Sequence, residues 1–156
     1  MNENLVVEAK KILKSEIYTT VSSAGEDNVP WVTPLYFAVN DNYVFYWVSP
    51  KDSWHAKNIK HNGKVSWVCF DSHAPKWTGM GVYFTGKCEE LTEEAEIKLG
   101  LTLIFNRLEE KVPEAEEYLG NNTYRVYKAV SDRVWITNDK TVDGKTVDGR
   151  SEIELK

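Results

Sequence analysis

The chain has 156 residues, 42% of them hydrophobic and 28% charged, with a net charge of −5. This is the size and composition of one folded domain, long enough to bury a real core, and it excludes a disordered chain. The negative balance also argues against a general nucleic-acid binder, which needs a positive field.

In chain order, apolar residues at Leu5, Val6, Ala9, Ile12 and Leu13 give the spacing of an amphipathic helix over 2–14. A β-branched and aromatic strand covers 17–22, and AGEDNVP at 24–30 is a turn-rich break. Residues 31–39 read as one strand, in which Pro34 demands an edge or ligand-facing position where no ladder donor is required. The NDN at 40–42 signals a hairpin into an aromatic strand over 43–48. A short helix is expected over 52–62, then strands over 65–70 and 81–91. Acidic residues Glu93 and Glu94 after Thr92 mark a helix start, with the helix running to 106. A further helical turn falls in 113–119, two strands over 123–130 and 133–137, and two D-G turns in the repeated TVDG of the tail. No linker divides the chain, so 1–156 is expected to be one domain, its tail from about 138 being the least regular part. The hairpin-joined strands with helices between only a few of them predict a mainly β fold, an antiparallel barrel with flanking helices.

The two cysteines, Cys69 and Cys88, lie in apolar runs and read as buried thiols. No apolar run is long enough to span a bilayer, and the N-terminus lacks a signal peptide's apolar centre. A cytoplasmic protein with no membrane partner is therefore expected.

Familiar chemical motifs do not fit. GVYFTGKC at 81–88 matches most of a phosphate-binding loop, but its interior is strand sequence and it ends in cysteine where a hydroxyl should meet magnesium. His55, His61 and His73 have no metal-ligand spacing with each other or with the cysteines, so no metal site is expected. There is no G-x-S-x-G elbow.

The informative stretch is SPKDSWHAKNIKHN at 49–62, a basic segment directly after the apolar strand YVFYWV. Asp52 or Ser53 can cap the helix, leaving backbone N–H groups beside Ser49, Lys51, Ser53 and His55. That is equipment for an anion such as a phosphate. Composition alone equally allows a solvated amphipathic helix whose lysines meet only water.

The order YTTVSS, GEDNVP, WVTPLYF, NDN, YVFYW, DSWHAKNI, KVSWVCFDS, GVYFTGKCEEL resembles the pyridoxamine 5′-phosphate oxidase-like family, the FMN-binding split barrels. The resemblance runs from about 17 to 91, with a weaker match at 124–138. It implies a six-stranded antiparallel split β-barrel with flanking helices, an FMN cofactor, and a homodimer with the flavin at the subunit interface. By the same resemblance, Trp31, Val32, Thr33, Pro34 and Leu35 lie on the strand that lines the flavin, with Thr33 a hydroxyl donor. Trp47, Val48 and Ser49 end the strand that meets the flavin and its phosphate. Ser53, Trp54, His55 and Asn58 surround the phosphate, with charge from protonated His55 and from Lys51 or Lys57. Many members carry arginine and lysine where this chain has Trp54 and His55. The arginine and lysine usual on the second strand are replaced by Trp31 and Tyr36, which moves this chain away from the pyridoxamine phosphate substrate. The implied activity is that of a flavin-dependent oxidoreductase on a small molecule, with no catalytic side chain identified. The alternative on the same fold is a non-catalytic protein that holds a flavin, deazaflavin or haem, as in a stress response.

Overall fold

A computed structural model describes residues 3–156. Helix α1 (Glu3–Ser15) buries Ala9, Ile12 and Leu13, the stripe read from its spacing; the predicted first residue, Asn2, lies outside the described residues. There follow β1 (Tyr18–Ala24), β2 (Pro30–Tyr36), β3 (Ala38–Val39), β4 (Phe45–Pro50), α2 (Trp54–Asn62), β5 (Lys64–Phe70), β6 (Gly81–Glu90), α3 (Glu94–Leu108) and β7 (Tyr124–Thr137). A small β8–β9 hairpin (Lys140–Val142, Lys145–Val147) and β10 (Arg150–Glu152) end the chain.

The main sheet is antiparallel throughout, in the order β2-β1-β5-β6-β7-β4-β3, with β10 added to β7. Its two edge strands, β2 and β3, are separated in the chain only by Phe37. A sheet whose opposite edges are one residue apart has to curl onto itself. Six long strands plus the two-residue β3 thus make the split barrel that the sequence predicts.

Closure explains where the strand pattern of the sequence departs from the structure. The single strand read over 31–39 breaks at Phe37, whose side chain is fully buried and whose N–H donates to Ile17 O at 3.3 Å. The two strands read over 123–130 and 133–137 are one continuous β7. Its register with β6 slips between Thr85/Arg133 and Gly86/Ser131, which leaves Asp132 as the extra residue of a bulge. A Cβ on Gly86 would lie 2.1 Å from Val130 O, so only glycine fits there. Pro34 is on the edge strand β2, as its missing donor requires. Helix α3 is capped at Glu93, not Thr92. In the tail, Asp143–Gly144 forms a turn, with φ of 50° and 73°. The second D-G does not turn; Gly149 accepts from Asn138 N–H at 2.9 Å and leads into β10.

Inside the barrel, Trp67 stacks on Phe84 at 5.1 Å, and Phe45 meets both edge-on at 5.3 and 5.0 Å. Such contacts add about 0.5–1.5 kcal/mol per pair beyond area burial. Cys69 and Cys88 are free and buried in this interior, and burial pushes the Cys69 thiol up to about 12. Residues of α1 and α2 complete the interior, whereas α3 packs outside on Ala38, Tyr46 and Val126. The outward face of β2-β1-β5-β6 and of the second half of β7 is thereby left without a helix. No described helix is long and apolar enough to cross a membrane.

Candidate functional site

Helix α2 follows β4 after a three-residue turn and lies across the end of the barrel where β1 runs into the turn before β2. Three of its residues, one turn apart and so on one face, hold it there. Trp54 stacks on Trp31 of β2 at 5.3 Å and 23°. Asn58 donates its amide N–H to Ser23 Oγ at 3.2 Å, and Asn62 donates to Ala24 O at 3.0 Å. Trp31 and Ser23 are themselves partners in the β1–β2 register, so the first two contacts are neighbours. Gly25 permits the fit, because a Cβ there would sit 2.7 Å from Asn58 Oδ1.

Ser53 is the N-cap of α2, accepting from Ala56 N–H at 3.4 Å. The amides of Trp54 and His55 have no intrahelical acceptor, as at every helix start. Ser53 Oγ and His55 Nε2 share a 3.2 Å hydrogen bond. The His55 ring lies edge-on to Tyr127 at 6.5 Å, and Tyr127 in turn stacks on Trp47. His55 is buried, and this burial pushes its imidazole below the ordinary value. Burial thus works against the positive charge expected of it. Ser49, the last interior-facing residue of β4, is also buried.

The structure thus brings Trp31, Ser49, Ser53, Trp54, His55 and Asn58 to one end of the barrel, with Thr33 on the same face of β2 as Trp31. The other residues on these strands point elsewhere. Leu35 and Trp47 belong to the interior core, and Val48 packs toward α3. Val32 and Pro34 alternate onto the outer face of the sheet. Any part they have in a site at this end runs through their backbone. The indole N–H of Trp47 is buried without a partner, an orphan donor on the wall of the same interior. Lys51, half-buried, donates to Asn121 O at 3.4 Å, and Lys57 is exposed on α2.

Sequence reasoning missed Ser23, Gly25 and Tyr127, which set the positions of Asn58 and His55. The glycine in AGEDNVP was the one available signal. The assembled groups are hydroxyls, free amides and a neutral imidazole, which can hold an anion by hydrogen bonds more than by charge. No group of three His, Cys, Asp or Glu side chains suited to a metal ion occurs among the described residues.

The family model described as pyridoxamine 5′-phosphate oxidase matches residues 5–138. The chain belongs to that family. The oxidase family's fold recurs in solved structures that share little sequence with it. One is a protein of unknown function from Agrobacterium tumefaciens, with TM-score 0.69 and 15% identity; 87% of this chain aligns with 57% of that one, so this chain spans little more than half its length. Another is the haem storage protein of Vibrio cholerae, with TM-score 0.66 and 15% identity over 83% of this chain and 92% of that one. A third is an FAD-binding protein from Mesorhizobium loti, with TM-score 0.65 and 20% identity over 83% and 90%. At these identities the likeness is one of fold. No curated protein sequence matches the chain.

Proposed function

We propose that this member of the pyridoxamine 5′-phosphate oxidase family binds a flavin nucleotide, FMN in its simplest form, and acts as an oxidoreductase on a small molecule. The observation that carries this reading is the Ser53-capped start of α2, whose first two amides are free, together with the buried, unpartnered indole N–H of Trp47 on the wall of the adjoining interior. These donors suit a phosphate. Thr33 and the backbone of β2 line the way from there along the barrel edge. When bound, the flavin supplies the redox chemistry. The chain's own residues bind and orient it: the α2 amides and Ser49 hold the phosphate, and His55, braced by Ser53 and Tyr127, offers a neutral N–H. The FAD-binding neighbour supports a flavin on this fold, although it is a different protein.

A homodimer belongs to the same reading. The uncovered outer face of the sheet carries two in-register rows, Val32-Ser22-Ser66-Thr85-Arg133 and Pro34-Thr20-Val68-Tyr83-Trp135, uncharged on β2, β1, β5 and β6 and bordered on the β7 side by Arg133 and Arg150. Two copies meeting there would bury it.

The decisive experiment is mass analysis of the small molecule released on denaturing the purified protein. Flavin in the supernatant, and bleaching of the bound flavin by a reduced nicotinamide, support the proposal. A released porphyrin would replace flavin by haem, and flavin without turnover would make the protein a carrier.

A further inference from the structure

The stacked pair Trp31–Trp54 is a feature that a terminal phosphate does not need. Trp54 is the first residue of α2, directly between the cap Ser53 and His55, so any anion on the α2 amides lies within a residue of its ring. The pair is also open to solvent: Trp54 is 65% exposed and Trp31 41% exposed. Holding α2 to β2 uses one face of the Trp54 indole and leaves much of the pair's aromatic surface free.

Charge points the same way. A terminal phosphate monoester carries close to two negative charges at neutral pH, its second ionisation being near 6. Here burial lowers the pKa of His55, and half-buried Lys51 donates to the carbonyl of Asn121. The buried Arg125, opposite Ser49, is engaged by Glu90 and by the carbonyls of Gly120, Asn122 and Tyr124. In a dinucleotide each phosphate is an ester on one side and an anhydride on the other, so the diphosphate carries its two charges one on each phosphate and not both on the group at the α2 start. That group asks for hydrogen-bond donors, which the site has, and not for a cluster of cations.

We propose that the Trp31–Trp54 pair is a stacking platform for a purine ring carried beyond the phosphate, so that the site prefers FAD over FMN. This rests on the flavin-nucleotide reading above and specifies its ligand. The flavin's first phosphate sits at the start of α2 as one half of a diphosphate, and the adenine lies on the indoles. Stacking of a base on an aromatic side chain is sequence-tolerant and needs no charged partner.

The test is calorimetric titration of the full chain with FMN, FAD and NADH, in wild type and in Trp54→Ala, Trp31→Ala and Trp54→Phe. FAD is expected to bind about tenfold more tightly than FMN, in line with the loss seen on removing one base–aromatic stack. Either alanine change should bring the FAD-to-FMN affinity ratio close to one, and Trp54→Phe should restore most of it. Melting curves identify any variant whose fold has changed, and the two alanine variants serve as independent checks. A wild-type ratio of one, or a ratio unmoved by both alanine changes, overturns the proposal while leaving FMN binding in place. So does binding of NADH to the FMN-loaded protein through the same tryptophans, which would give the platform to a separate nucleotide. Failure of both flavins to bind overturns the flavin reading itself.

Discussion

Asn58 donates its side-chain amide to Ser23 Oγ across the junction of α2 and β1, with both side chains buried. The amide that the family resemblance assigns to a phosphate is thus already engaged in fixing the helix. Asn58→Ala should therefore destabilise the flavin-free protein by about 1–3 kcal/mol, since it strands a buried hydroxyl. For a chain of this length that is roughly 2–4 °C of Tm for each kcal/mol. Gly25→Ala pushes on the same Asn58 oxygen, so its cost should shrink when made on top of Asn58→Ala, the signature of a shared contact. Thermal melts of the two single variants and the double variant check this. Unchanged stability in both single variants would return Asn58 to a purely ligand-binding role.

His55 sets a pH dependence whose sign is fixed by burial. Its folded-state pKa lies below the ordinary 6.5 because the charged ring is desolvated. Above that ordinary value the ring is neutral in both states and stability is complete. As pH falls from there through the lowered folded value, the unfolded chain takes up a proton that the folded one resists, and stability is lost. Denaturant midpoints should therefore drop from about pH 7 to about pH 5, and His55→Gln should flatten that part of the profile. A wild-type profile indistinguishable from that of His55→Gln would mean that the ring is not desolvated in solution.

Gly86 tests the barrel itself. Its missing Cβ is the space that Val130 O occupies at the β6–β7 bulge, and both colliding groups are backbone, so neither can swing away. Gly86→Ala should cost at least about 1–3 kcal/mol, the range for forced overpacking. Gly120→Ala is the comparison: its Cβ meets nothing within 4 Å, although its φ of 59° still carries some strain. Chemical denaturation of the two variants would show whether the bulge or backbone conformation dominates.

Much of this architecture could be read from local signals, and its failures have a common cause. The edge position of Pro34, the helix expected over 52–62 (54–62 in the structure) and the buried thiols follow from the missing N–H, a cap at Asp52 or Ser53 and the apolar neighbours, all of them local. The break at Phe37 and the bulge at Asp132 come from closing the sheet on itself, which no window of sequence records. The site divides in the same way. A cap at Asp52 or Ser53 is legible because a cap is a local device, whereas the burial that lowers the pKa of His55 comes from packing that includes Tyr127, more than seventy positions away. Alternation alone would have placed Val32 and Val48 on faces opposite to Trp31 and Ser49; the family pattern overrode it.

The uncovered sheet face gives the last prediction. Thr20 and Val68 are register partners near the centre of that face, flanked by Pro34 and Tyr83. Across a two-fold axis each would approach its own copy or a close neighbour, so one substitution changes the interface twice. Val68→Glu then buries a pair of carboxylates facing each other in the contact, which is unfavourable beyond what Arg150, over the neighbouring Tyr83, can offset. Wild-type protein should sediment as a dimer at micromolar concentration and Val68→Glu as a monomer. Because Val68 alternates away from the barrel interior, the variant should keep its helix and strand signals in circular dichroism. Its flavin content then separates two arrangements: loss of flavin on monomerisation means that the site is shared between copies, and retention means that each barrel holds its own. A wild-type monomer with flavin bound would remove the dimer from the reading altogether and leave the rows around Thr20 and Val68 as ordinary solvated surface.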